Sequence, residues 1–305
     1  MRALLIIASA VLIGSNMGLQ AQSSDSGLTL HSGGSTIYVF FPSPPAEPLK
    51  LAIQAWITKA ATAVTTYYRR YPVSVVNITV NLRNRPGVGD GHASGWNGAR
   101  IEIAVGRNNT AAQFGDDWVL THEMVHLALP SVAENHHWIE EGLATYIEPI
   151  ARARAGQLSA EKIWVDMVDG MPKGLPERGD RGLDRTPTWG RTYWGGAMFC
   201  LYADVEIRRR THNGKGLEDA MQAILQKDGN ITTEAELTDL LATGDKETGV
   251  PVLTELYREW SAKPIAPDLN ALWKQLGVVS TGSSVRFDDS APLASVRKAI
   301  TARQP

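Results

Sequence analysis

The chain has 305 residues, 43% of them hydrophobic and 20% charged, which is globular composition and excludes a disordered or wholly membranous protein. Its formal net charge of -2 leaves no general basic field of the kind that attracts nucleic acid. The densest basic run, Arg208-Arg209-Arg210, closes a predicted helix, where cations favour the negative end of the dipole.

Arg2 precedes the apolar run "ALLIIASAVLIG", which has the length of a signal-peptide core and is short for a spanning helix. Residues 1–21 therefore read as a signal peptide cut after Ala21, with an uncleaved anchor as the other reading. No later segment is apolar for long enough to span, so no stable membrane span is expected after cleavage, and the protein is expected to be periplasmic or secreted. Cys200 is the only cysteine; it excludes an intrachain disulfide and sits in an apolar helical pattern as a buried small residue.

"STIYVFFPSPP" reads as a β-rich run stopped by prolines. "EPLKLAIQAWITKAATAVTTYYRRY" reads as a long helix, with Pro48 in its first turn and Leu49, Ile53, Trp56, Ile57 and Ala60 on one face. "VSVVNITVNL" and "ARIEIAVG" alternate as strands, and the Gly-rich "RNRPGVGDGHASGWNG" between them reads as a loop. In this reading "ARIEIAVG" forms the edge of a cleft to which a peptide adds as a further strand, and Glu102 faces solvent.

Next comes "LTHEMVHLALP". His122 and His126 stand four residues apart and share one face of a helix, so they can offer two imidazole nitrogens to one metal ion. Glu123, on the adjacent face, can reach a metal-bound water without ligating. Asp116 and Asp117 are candidate caps. A catalytic zinc needs a third protein ligand and one open position. The following "HHWIEEGLATYIE" supplies Glu140, Glu141, Glu148, His136 and His137 as candidates.

Beyond it the pattern is mostly helical. "HWIEEGLATYIEPIARARAG" makes one helix or two, and "SAEKIWVDMVDG" makes another with Ser159 as cap and Gly170 at its end. "MPKGLPERGDRGLDRTPTWGR" is too long for a simple connector; Asp180, Arg181, Asp184 and Arg185 in it either shape a cleft or pair with one another. Helices resume at Tyr193, Gly216, Thr233, Val250 and Pro267, and "SSVRFDD" forms a short strand before a last helix. The expected fold class is α+β: a small front sheet, a helical C-terminal lobe and the histidine helix between them, with 22–130 and 131–305 as two lobes of one unit.

"HEMVH" followed by "WIEEGLATY" resembles the gluzincin metallopeptidases, whose thermolysin-like zincin domain combines HExxH with W-x-x-E-G. The resemblance makes Trp138 the tryptophan, Glu141 the third zinc ligand and Gly142 the glycine. "TYWGGAMFCLYADVEIRRRTHNGKGLEDAMQAIL" is similar to the region after the active site in the glycyl aminopeptidase family, matching at Tyr193, Gly196, Tyr202-Ala203-Asp204 and Ile207-Arg208. The resemblance implies Zn²⁺ on His122, His126 and Glu141, Glu123 as general base, Tyr193 as oxyanion donor, and a peptide or protein substrate. Read without it, Tyr193 is a core aromatic. The sequence departs from that family in a shorter His126–Glu141 spacing, in the lack of the large N-terminal β-domain and in the lack of a clear glycine-rich amine-recognition motif, so aminopeptidase specificity is not carried over. The alternative is a catalytically inactive zincin-fold peptide-binding protein of the cell envelope; a helical surface protein with chance histidines is the third reading.

Overall fold

The computed structural model describes residues 27–303, so the signal segment lies outside the described residues. Strands β1 (Gly27–Ser32) and β2 (Ser35–Phe40) form an antiparallel hairpin. Its turn is Gly33-Gly34, with φ of 54° and 83°, a left-handed pair that only glycines adopt without strain. Sequence reading found β2 and missed β1, whose side chains alternate weakly on an open edge.

Helix α1 (Glu47–Tyr68) is the crossover that two parallel strands require, and it leads into β3 (Val75–Arg83). Leu49, Ile53, Trp56, Ile57 and Ala60 are buried, as their helical spacing predicts. Strands β4 (Val88–Ser94) and β5 (Arg100–Gly106) complete a five-stranded sheet of order β1-β2-β3-β5-β4. Ile101, Ile103 and Val105 point into the core and Glu102 to solvent.

Two expectations need correction here. The stretch expected as a Gly-rich loop contains β4, paired antiparallel to β5 through His92–Glu102, Ala93–Ile101 and Ser94–Arg100, with a register shift between Val88 and Gly91. Composition hides such a strand: glycines, Asp90 and His92 carry little β-propensity, and the strand exists because a neighbour pairs with it. Consequently "ARIEIAVG" is interior, and β4 is the open edge on that side.

Helix α2 (Ala111–Gly115) is capped by Thr110 and precedes α3 (Val119–His126). Helix α4 (His137–Arg154) is one continuous helix with Pro149 inside it. Helix α5 (Ala160–Gly170) takes its cap from Ser159. A π-helical turn, Gly190–Gly195, runs directly into α6 (Gly196–Arg210). Helices α7 (Leu217–Lys227), α8 (Leu237–Thr248), α9 (Val252–Trp260) and α10 (Leu269–Leu276) follow; a two-stranded ribbon of β6 (Val278–Ser280) and β7 (Val285–Phe287) and helix α11 (Ala294–Thr301) end the chain. The fold is α+β, and no helix among the described residues is long and apolar enough to cross a membrane.

A buried charge network binds the helices together. Asp204 accepts from Tyr146 Oη (3.0 Å), Arg208 Nε (2.8 Å) and the Leu217 amide (2.9 Å). Glu218 receives Arg208 at 2.5 Å and Arg154 at 3.1 Å, and Arg154 Nε reaches the Ile300 carbonyl at 3.1 Å. Arg208 is therefore a core residue and not a dipole cation; Arg209 and Arg210 pair with Glu206 at the exposed helix end.

Candidate metal centre

Asp117 starts the site. Its carboxylate accepts from the amides of Val119 (3.1 Å) and Leu120 (3.2 Å), satisfying orphan donors of α3, and from Trp56 Nε1 of α1 at 2.9 Å. The helix is anchored to α1 and β4 and ends at His126, and a turn carries the chain on to Pro130. There the chain turns through Ser131, whose amide donates to the Thr233 carbonyl (2.8 Å) and whose carbonyl accepts from Ala235 (3.1 Å). A short 3-10 turn, Glu134–His136, then starts α4.

The crossing of α4 and α6 explains the glycines. A Cβ on Gly142 would collide with the backbone of Gly196, and one on Gly196 with the Trp138 carbonyl. The two helices thus touch backbone to backbone, which carries the π-helical turn and Tyr193 against the first turns of α4. Asp184 fixes the start of α4 from the long loop: it accepts from Trp138 Nε1 (2.7 Å) and Tyr257 Oη (3.0 Å) and meets His136 Nδ1 at 3.1 Å. Asp180 pairs with buried Arg191 at 2.8 Å. The loop acidic residues are therefore staples, and Arg181 stays local, its amide donating to Thr186 Oγ1 and its guanidinium to the Arg185 carbonyl.

His122, His126 and Glu141 come together. His122 Nε2 lies 3.1 Å and His126 Nε2 3.6 Å from Glu141 Oε2, and the three donor atoms lie within 4.8 Å of one another. Two imidazole nitrogens and a carboxylate, converging at the wall of a cleft of about 880 Å³, fit Zn²⁺ with one position left open. His137 touches Glu141 at 3.4 Å and Glu140 at 2.9 Å, so it steadies the carboxylates from the first turn of α4. Glu140 also accepts from the Val132 amide, and Glu148 is buried against Arg152 at 2.8 Å, so neither joins the trio.

The electrostatics follow the burial. Desolvation lowers the pKa of His122, favouring the neutral imidazole that ligation requires. Burial opposes charge on His126 as well, but Glu141 and Glu123 outweigh it and raise that pKa. Burial pushes Glu141 up, and hydrogen bonds from His122, His126 and His137 reverse this and hold it well below the carboxylate range. Burial raises Glu123, with the Ala93 amide pulling partly back. Burial, reinforced by Glu141 and Glu123, pushes the Tyr193 phenol up to about 12.

Tyr193 lines the same cleft, its ring 6.3 Å from that of His122 and nearly parallel to it. His92, the Ser94–Asn97 segment and Ile231–Glu234 also line the cleft. Sequence reading missed the part β4 plays. A Cβ on Gly91 would stand 2.6 Å from Glu123 Cγ and 2.9 Å from its Oε1. Glycine inside a strand is the signal that marks such a close approach. Gly91→Ala is expected to displace the Glu123 carboxylate; a crystal structure of the variant checks this, and an unmoved side chain contradicts it.

No protein-family model matches the sequence, and no curated protein matches it either. Solved structures do. An aminopeptidase N family protein from Idiomarina loihiensis aligns with a TM-score of 0.63 at 12% identity, over 83% of this chain and 49% of its own. An M1 zinc metallopeptidase from Deinococcus radiodurans aligns at 0.50 and 14%, over 79% of this chain and 52% of its own. A mutant two-domain M1 zinc metallopeptidase bound to L-arginine aligns at 0.52 and 15%, over the same shares. The chain thus spans about half the length of the structures it matches, and it shares with them a mixed α+β fold.

Proposed function

We propose that this chain is a zinc-dependent hydrolase of peptide bonds, a gluzincin-type peptidase closest in motif pattern to the glycyl aminopeptidase family. One observation carries the reading: the donor atoms of His122, His126 and Glu141 converge beside Glu123 in a single open cleft. The likeness in fold to M1 zinc metallopeptidases, one of them bound to a Tyr-Ser-Ala substrate, supports it. Residues 22–305 form the catalytic unit in this reading, with 22–130 and 131–305 as its lobes; residues 1–21 export it to the periplasm or the medium, and its substrate is a peptide or protein.

His122, His126 and Glu141 would hold Zn²⁺, which would supply a Lewis acid at the scissile carbonyl and would lower the pKa of water there. Glu123 takes a proton from the attacking water onto its carboxylate as the water oxygen bonds to the carbonyl carbon. It then delivers that proton to the amine nitrogen as the C–N bond breaks. Burial suits this exchange, because a carboxylate raised above its ordinary range is a stronger base. Tyr193, held protonated far above neutral pH, donates its phenolic hydrogen to the developing oxyanion.

The test is digestion of a peptide library by the zinc-loaded protein, with and without chelator. Chelator-sensitive cleavage is expected; full zinc occupancy with no cleavage of any peptide would favour an inactive binding protein. Tyr193→Phe is expected to lower kcat by about 100-fold while KM changes little, the pattern of a donor used in the transition state. An unaltered kcat would return Tyr193 to a packing role.

A further inference from the structure

We infer that the cleft holds an apolar recess with the Tyr68 hydroxyl in its wall, which selects neutral substrate side chains that carry a hydrogen-bonding tip on an apolar body; the inference rests on the peptidase reading. Tyr68 is the last residue of α1, and Arg69 after it turns left-handed with φ of 59°, so the helix ends with this ring at the cleft. Tyr68 is only 4% exposed, yet it lines the cleft. Its hydroxyl has no hydrogen-bond partner among the described residues. The hydroxyls of Tyr67 and Tyr71 are also unpartnered, but they are fully enclosed, and neither residue lines the cleft. The Tyr67 ring meets that of Tyr68 edge to face at 5.1 Å, and Gln222 Nε2 donates to the Tyr67 carbonyl at 2.6 Å, so the end of the helix is fastened. Burial, with Cys200 alongside, holds the Tyr68 phenol protonated well above its usual range, so it keeps a donor to offer.

The groups around that hydroxyl are apolar. Val125, Leu129 and Leu143 line the same cleft. Val125 follows His122 by three residues on α3 and shares its face. The Leu129 amide donates to the His126 carbonyl at 3.4 Å, so the turn after α3 keeps Leu129 on the side of His126. Leu143 follows Glu140 by three residues on α4. Apolar groups thus stand about one turn beyond the cleft's histidines and carboxylates on both helices. Leu129 and Leu143 also border a small apolar space shared with Cys200, the same neighbour that acts on Tyr68, which brings the phenol and the two leucines together. A side chain entering this recess buries its apolar body and strips water from the phenol. A tip that hydrogen-bonds the phenol restores what is lost, and a purely apolar tip leaves the hydroxyl unsatisfied. A phenol does not neutralise a charge, and the cleft already carries Glu123, Glu140, Glu141 and Glu234, so a carboxylate tip is disfavoured.

The experiment measures kcat/KM of the zinc-loaded full chain on peptides that differ at one position near a cleaved bond, in the shape-matched pairs Gln with Met and Thr with Val. At one such position the polar member of at least one pair is expected to be preferred about fivefold or more. Tyr68→Phe keeps the ring and removes only the hydroxyl; it is expected to bring that ratio close to one with zinc content unchanged. A merely structural hydroxyl would affect both members alike and leave the ratio unmoved, which overturns the inference. So does the absence of any preference for the polar member in both pairs, or a preference for Glu over Gln. If nothing is cleaved, the peptidase reading fails, and calorimetric titration with the same peptide pairs decides the recess. Tighter binding of a polar member that is lost in Tyr68→Phe supports it; equal binding, or none, overturns it.

Discussion

Glu123→Gln is expected to lower kcat about 100- to 10,000-fold while leaving zinc content unchanged. The substitution keeps the side chain's shape inside the narrow space left by Gly91, so the fold and the three donors are undisturbed. It removes the buried carboxylate beside the three donors that is neither an expected ligand nor tied to His137. A neutral amide cannot take a proton from water or return one to the leaving amine. Steady-state kinetics beside metal analysis reads this directly. Retained turnover would remove Glu123 from the chemistry, and loss of zinc would mean that it ligates.

The largest expected loss of stability comes from Asp204→Ala, about 3–5 kcal/mol, read by denaturant unfolding. Asp204 is 1% exposed and holds Arg208, Tyr146 and the Leu217 amide. Its removal leaves a buried guanidinium facing only Glu218, and leaves the Tyr146 hydroxyl and the Leu217 amide without their acceptor. Because these partners sit on α4, α6 and α7, the loss loosens the crossing that carries Tyr193. A change below about 1 kcal/mol would show that water or a rotated Glu218 replaces the carboxylate.

The histidine pair was legible because helical spacing is local: four residues return to the same face whatever the rest of the chain does. The third donor was not legible from spacing alone. Glu140, Glu141 and Glu148 share one helix, and only the turn through Pro130 and Ser131 decides which of them meets the histidines. Motif resemblance selected Glu141, and the geometry gives a reason for the glycine after it, which lets α6 approach. What stayed hidden was non-local. Strand β4 exists through pairing with β5, Gly91 has meaning only beside Glu123, and Tyr193 meets His122 only after α3 and the π-helical turn have come together. Asp204 and Arg208 were noticed as a pattern, but their role depends on Glu218 and Arg154, which arrive from other helices.

On the proposed function, His122, His126 and Glu141 hold zinc together. Zinc titration of the metal-stripped chain, followed by metal analysis, tests it most directly. One tightly held zinc per chain is expected in the wild type and in Glu123→Gln, and strongly weakened binding in His122→Ala, His126→Ala and Glu141→Ala. Absence of tight zinc in the wild type, or wild-type affinity in Glu141→Ala, would contradict it.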